Sequence, residues 1–387
     1  MIVAGIMSGT SADGINVAIV QVNDHGFETK LEMVAHKEFP FPAKVRNFIL
    51  SVMNAEAKVA DLARLNVLLG ELYADAVSAT ASEAQAGISL IGCHGQTIYH
   101  QGEKKNFLGR PIAATWQTGE GAIVAARTGI PVVSDFRQAD MAAGGKGAPL
   151  VPFLDYVLYR HPQRGRIVQN IGGIANLTAI PAGTGAGGGS RPERVIAFDT
   201  GPGNMIIDGV MERLFKRRYD DGGRVAAKGK PIDAVLKKLL RNPFFRLKPP
   251  KTAGREEFGR EFVASFVKSC GKAQKEDIVA TATAFTALSI ADAIRTFLPG
   301  ASGEQKAYQD MIISGGGSYN CTLIAMLRDQ LPQLEIKSTD AFGIPVEAKE
   351  AVAFAVMAYQ TWSRLPSSIP SATGADYPAV LGKISYP

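Results

Sequence analysis

The residue in this chain best equipped for chemistry is a single carboxylate at the end of an apolar run. VIAFDTGPGN, Val195 to Asn204, reads as a buried strand that stops at Asp199 and passes into Thr200, Gly201, Pro202 and Gly203. Open α/β sheets bind ligands just beyond the carboxyl ends of their strands, which is where this places Asp199. Gly201 and Gly203 would let backbone N–H groups approach a ligand with no Cβ in the way. An Asx turn capped by Asp199 is the plain structural alternative.

Other strand ends repeat the design. Ile2 to Met7 breaks into SGTSADG, Ser8 to Gly14, and resumes as Ile15 to Val22. That is a hairpin whose tip offers backbone N–H groups and hydroxyls suited to phosphate oxygens, with Asp13 able to hold a hydrated Mg²⁺. Ile167 to Ile180 repeats it with a turn at Gly172 and Gly173. Met311 to Ile313 leads into SGGGSYN, where Gly315, Gly316 and Gly317 suit a flat base or ribose and Asn320 can cap a helix from Thr322 to Gln330. Ile88 to Gly92 ends in CHGQT, so His94, Gln96 and Thr97 could bind sugar hydroxyls, or His94 could be a buried structural histidine. Ile130 to Ser134 ends in DFRQAD, where Asp135, Arg137 and Asp140 form either a local ion-pair cluster or a ligand-orienting group.

The elements that must position these residues alternate between strand and helix. Val59 to Glu83 carries Leu62, Leu65, Leu69, Leu72 and Ala76 at helical spacing, and Ala280 to Phe297 is an Ala/Thr-rich helix with a small-residue face. Val346 to Trp362 reads as a long apolar helix with Glu347, Lys349 and Glu350 in its first turn, where acidic residues also suit the helix dipole. Two hairpins of like pattern about 165 residues apart mark a duplicated α/β architecture.

Composition narrows the function. With 387 residues, two domains are expected; 46% hydrophobic and 20% charged residues supply an ordinary core. The net charge of +6 comes without a dense basic and aromatic block, which argues against nucleic acid. The basic stretches Lys216 to Arg218 and Lys228 to Lys251 read first as solvated faces, and could also help attract anionic substrates. Three widely spaced cysteines, Cys93, Cys270 and Cys321, make neither a disulfide framework nor a metal pattern. With no signal-like start and no apolar run of about 18 residues, the expectation is a cytoplasmic protein without membrane contact.

Taken together, GIMSGTSADG, HGQT, DFRQAD, NIGGIANLT, FDTGPGN, SGGGSYN and EAKEAVAFA appear in an order that resembles the anhydro-N-acetylmuramic acid kinase family from Ile2 to about Trp362. The resemblance implies two ribonuclease-H-like domains of the actin-like ATPase, sugar-kinase and heat-shock ATPase architecture, with nucleotide and sugar in the cleft between them. Residues 1–162 with 350–387 would form one domain and 163–349 the other. It implies ATP and Mg²⁺, a 1,6-anhydro sugar as the small-molecule partner, and leaves a homodimer open. Asp199 would deprotonate the water that attacks the anomeric carbon, and Glu350 would help position water or sugar. Gly9, Thr10, Ser11, Ala12, Asp13, Gly14, Ile15 and Asn16 would face the phosphates, with Asp13 near the metal. Gly172, Gly173, Asn176 and Gly201 would form the second phosphate turn, and Gly315 to Gly317 the adenosine side. His94, Gln96, Thr97, Asp135, Arg137 and Asp140 would line the sugar.

Two departures stand out. Asn16 occupies a position where the family usually has Asp, and Gly183 to Ser190 is an unusual insertion. Two other readings share the fold: a kinase for another anhydro sugar such as levoglucosan, and a catalytically silent nucleotide-binding protein.

Overall fold

A computed structural model describes residues 1–9, 11–183, 191–298, 300 and 307–387. Thr10 and most of the Gly183 to Ser190 stretch therefore lie outside the described residues. The polypeptide divides into two compact units, Met1–Leu158 with Gly343–Pro387, and Tyr159–Phe342. Both crossings fall slightly earlier in the sequence than residues 162 and 349.

The first unit is built on β1 (Ile2–Ser8), β2 (Gly14–Asn23), β3 (Lys30–Pro40), β4 (Leu90–Phe107), β5 (Arg110–Thr118), β6 (Val132–Ser134) and, from the returning end of the chain, a strand at Lys383–Ser385. Their order runs from Lys383–Ser385 through β6, β4, β1 and β2 to β3, with β5 paired to the outer part of β4. The meander β1–β2–β3 is antiparallel, whereas β4 joins β1 and β6 joins β4 in parallel. β1 is apolar almost throughout because it is central and covered on both faces. Helix Val59–Ala84 covers one face, burying Leu65, Leu69, Tyr73 and Ala76. Helix Lys349–Trp362, apolar nearly all round, covers the other and packs across β1 and β4. Its backbone lies so close that a Cβ on Gly5 would sit 1.8 Å from the Ala351 carbonyl oxygen, and one on Gly92 would sit 2.2 Å from that of Phe354. Only glycine permits this approach.

The second unit repeats the plan with β7 (Arg166–Ile171), β8 (Ile174–Ile180), β9 (Ile196–Pro202), β10 (Asp310–Ser314) and β11 (Glu335–Ser338), in the order β11-β10-β7-β8-β9. Again three strands form an antiparallel meander; β10 joins β7 in parallel and β11 joins β10 in parallel. Helix Lys275–Phe297 runs through its core with Ile290, Ala291 and Ile294 fully buried. This helix is long and apolar enough to cross a bilayer, a feature not expected from the sequence, but it is mostly buried inside the unit. The core supplies the apolar surroundings that a membrane otherwise would.

Three expectations need correction. β4 does not end before CHGQT: it runs on through it to Phe107 and turns back at Leu108–Gly109, both at positive φ, into β5. Parallel pairing to β1 stops at Gln96, and pairing to β5 takes over from there, so the strand keeps a partner. Likewise β9 does not stop at Asp199 but extends to Pro202, across an irregularity opposite Ala175 and Asn176. The helix that carries Glu350 begins at Lys349, leaving Glu347 outside its first turn.

Candidate active site

In the first unit the polar residues converge on the helix Lys349–Trp362. Phe354 lies four residues after Glu350 on one face of that helix, and its ring meets the His94 imidazole at a centroid distance of 4.5 Å. Arg137, on helix Phe136–Ala142, donates from Nε to His94 Nε2 at 3.0 Å and from Nη1 to the Gly147 carbonyl at 2.7 Å. A guanidinium only donates, so Nε2 accepts, and His94 carries its proton on Nδ1, which faces the Gly95 carbonyl at 2.7 Å. Burial and then the Arg137 charge hold the imidazole well below its ordinary pKa. His94 is thus a neutral imidazole held between a helix ring and an arginine.

Glu350 is an exposed residue, yet desolvation by the protein around it pushes its carboxyl up, with Lys349 and then Arg137 opposing. Burial likewise lowers Arg137 to about 10, opposed by Glu350 and Asp140. Lys349 itself is buried and paired with Asp155 at 2.7 Å, which anchors the start of the helix.

The strand ends bring Gln96 to the first glycine-rich tip. Its Nε2 donates to the Gly9 carbonyl at 3.1 Å, while its buried Oε1 has no hydrogen-bond partner among the described residues. Ser8 meets the Tyr73 hydroxyl at 2.6 Å, and Asn16 Oδ1 meets His36 Nε2 at 2.9 Å. Thr97 Oγ1 accepts from Gln117. Asp13 pairs with Arg46 at 3.2 Å and is exposed. Ser11 is exposed, whereas Ala12 and Ile15 are buried and belong to the core. Gly14 is pressed against the Phe39 carbonyl.

Two of the residues expected to line a sugar have partners within the fold. Asp140 is fully buried, accepting from Thr373 Oγ1 at 2.7 Å and the Gly147 N–H at 2.8 Å. Asp135 pairs with Lys383 at 3.4 Å. The aspartates thus bind backbone and the returning strand, while Arg137 alone of the DFRQAD group turns to His94 and Glu350.

In the second unit the three glycine-bearing turns meet at one edge of the sheet. The carbonyls of Gly172 and Gly173 accept from the Asn204 and Gly203 N–H groups at 2.7 and 2.9 Å, tying the β7–β8 turn to the start of helix Asn204–Phe215. Asn204 Nδ2 donates to Ile171 and stands 3.7 Å from where a Cβ on Gly316 would be. Gly315 and Gly317 are pressed against Asn170 and Ile171, so of the three glycines only Gly316 is exposed and would take a Cβ at an ordinary contact distance. Asn320 caps helix Cys321–Gln330, accepting from the Leu323 N–H at 2.9 Å, the structural role expected of it.

Asp199 stands across from Asn176 in the β8–β9 pair. Its Oδ2 accepts from the Ala253 N–H at 2.7 Å and its own N–H donates to the Lys251 carbonyl at 3.0 Å. It is no cap of its own loop: the bond comes from a segment more than fifty residues away. Burial raises the carboxyl to about 7, with the Ala253 N–H and Lys251 opposing and Glu257 adding to the rise.

Lys251 corrects the reading of its stretch as a solvated face. It is 5% exposed, with Nζ donating to the Phe244 carbonyl at 3.2 Å and lying 4.5 and 4.6 Å from the ring centroids of Phe244 and Phe297. Nothing local could have revealed this, because the cage is assembled from β9, a 3₁₀ turn and the end of a distant helix.

Two such sheets in one chain, each with its first three strands in an antiparallel meander and two further strands added in parallel beside the first, β4 and β6 in one and β10 and β11 in the other, define the ribonuclease-H-like class shared by actin-like ATPases and sugar kinases. Residues 1–387 match the family described as anhydro-N-acetylmuramic acid kinase, and the chain belongs to that family. An anhydro-N-acetylmuramic acid kinase of Bacillus cereus is 44% identical over 394 aligned residues, covering 100% of both chains. That of Caldanaerobacter subterraneus subsp. tengcongensis is 44% identical over 392, covering 99% of this chain and 96% of the relative. Among solved structures, component A of the (R)-2-hydroxyglutaryl-CoA dehydratase of Acidaminococcus fermentans is similar at a TM-score of 0.46 and 13% identity, covering 94% of this chain and 99% of that one.

Proposed function

We propose that this chain is an ATP-dependent kinase that opens the 1,6-anhydro ring of 1,6-anhydro-N-acetylmuramic acid with water and phosphorylates O6, giving N-acetylmuramic acid 6-phosphate. Family membership along the whole chain supports the substrate class. The observation that carries the mechanism is Asp199, a carboxylate with its pKa raised to about 7 and one oxygen fixed by a backbone donor. A base poised near the working pH is suited to taking a proton from the attacking water. That water bonds to the anomeric carbon, the bond from this carbon to the bridging oxygen breaks, and the freed O6 takes the γ-phosphoryl group of ATP.

Glu350, Arg137 and His94 form the second cluster, which we assign to orienting the sugar: a guanidinium and a neutral imidazole hold hydroxyl and carboxylate oxygens in fixed directions. The Gly9 to Asn16 tip and the Gly172–Gly173 turn would face phosphates, and Gly316 the adenosine. Mg²⁺ commonly takes one or two carboxylates plus phosphate oxygens. Among the described residues no group of three or more ligating side chains exists, but exposed Asp13 fits that sparse requirement once it leaves Arg46. When bound, the ion would neutralise phosphate charge.

The test is ATP turnover with purified protein against 1,6-anhydro-N-acetylmuramic acid and levoglucosan. Phosphorylated product from the first sugar at a far higher kcat/KM is expected. Equal rates on both would move the assignment to a broader anhydro-sugar kinase, and no turnover on either would make the protein a nucleotide binder.

A further inference from the structure

Lysine is almost never fully buried without a partner. An apolar side chain would fill the space between Phe198, Phe244 and Phe297 without losing hydration, whereas the Lys251 ammonium gives up its water to enter it. Three features compensate: the Phe244 carbonyl that accepts from Nζ, the negative faces of the rings, and the negative charge of Asp199, whose carboxylate acts on the lysine. The same residue's carbonyl accepts the Asp199 N–H, and two residues further on the Ala253 N–H grips the carboxylate.

We propose that Lys251 is a positioning residue for Asp199: its caged ammonium pins the 251–253 segment that holds Asp199 by backbone and side chain, and its charge keeps that carboxylate available to accept a proton. The proposal rests on reading Asp199 as the base. The other charge acting on Asp199 is Glu257, whose carboxylate accepts from the Gly254 N–H at 2.7 Å and which works in the opposite sense. Lys251 and Glu257 belong to one segment, so a single stretch of chain sets both the geometry and the electrostatics of the base.

The experiment is a pH–rate profile of Lys251→Gln, which keeps a donor for the Phe244 carbonyl and removes the charge. Expected are a fall of at least about tenfold in kcat near neutral pH, a KM for ATP within about twofold of wild type, and an acid limb of kcat/KM displaced upward by about one pH unit, since losing a nearby cation raises a carboxylate. Lys251→Arg should return the limb to its original position. An unmoved limb, with turnover lost only in proportion to folded protein, would reduce Lys251 to a packing residue. If the Gln variant does not fold, Lys251→Met, which keeps the side-chain length and removes the charge, is profiled in its place: a limb displaced upward supports the proposal and an unmoved limb overturns it. Asp199→Asn measured alongside separates the two assignments. Near-wild-type turnover there sinks the base itself, whereas an inactive Asp199→Asn beside an unmoved Lys251→Gln limb sinks only the role of Lys251.

Discussion

At Asp199 the fold holds a carboxyl whose pKa is raised from 3.8 to about 7, so its protonated and ionised forms coexist at neutral pH. Only the ionised form accepts a proton, so kcat/KM should climb with pH through about 7 and level off above it; a profile flat down to about pH 5 would remove Asp199 from the chemistry. Asp199→Asn keeps the acceptor for the Ala253 N–H yet cannot take a proton, and should lower turnover by roughly 10²–10⁴-fold with ATP affinity kept. Stability should move the other way. Between the unfolded and folded pKa values the native state binds more protons than the unfolded one, so the ionised carboxylate costs stability increasingly as pH rises through that window. The Asn variant escapes this cost and should be more stable than wild type at about pH 8, on the order of 1–3 kcal/mol, with the gap closing toward about pH 4. Thermal melts at the two pH values check it.

Elements carry a different kind of information. The Gly315–Gly316–Gly317 turn was legible as a glycine-rich loop at a strand end, but which glycine faces outward depends on Asn170 and Ile171 of a strand about 145 residues earlier. Gly316→Val should weaken nucleotide binding, measured by titration calorimetry, with little change in melting temperature. Gly317→Ala should do the reverse, because its Cβ would lie 2.3 Å from the Ile171 side chain. Strand cores, the long helices and both hairpins could be read from apolar periodicity, since burial on two faces leaves a continuous signature. The extent of β4 and β9 could not: each continues through polar or glycine-rich residues because a neighbouring strand keeps supplying hydrogen bonds, and that neighbour is not visible locally. Asp140 and Lys251 escaped for the same reason, their partners lying at Thr373 and around Phe297.

At the scale of the molecule, the second unit is inserted into the first, whose sheet is completed by residues from 343 onward. Each unit has its own buried core. A fragment of residues 159–342 should therefore fold alone with a cooperative melt, while residues 1–158 should not, because Gly5 and Gly92 would face water where the backbone of helix Lys349–Trp362 belongs. Circular dichroism of the two fragments tests this, and a cooperatively melting 1–158 fragment would contradict it. On the ribosome the same return of the chain becomes a matter of timing. At roughly 5–20 residues per second, the interval between the emergence of residue 158 and that of helix Lys349–Trp362 is on the order of ten seconds or more. Throughout that interval the inserted unit is still being made and the first-made half waits with one face of its sheet bare, so a nascent chain stalled before residue 349 should be a client for chaperones and proteases.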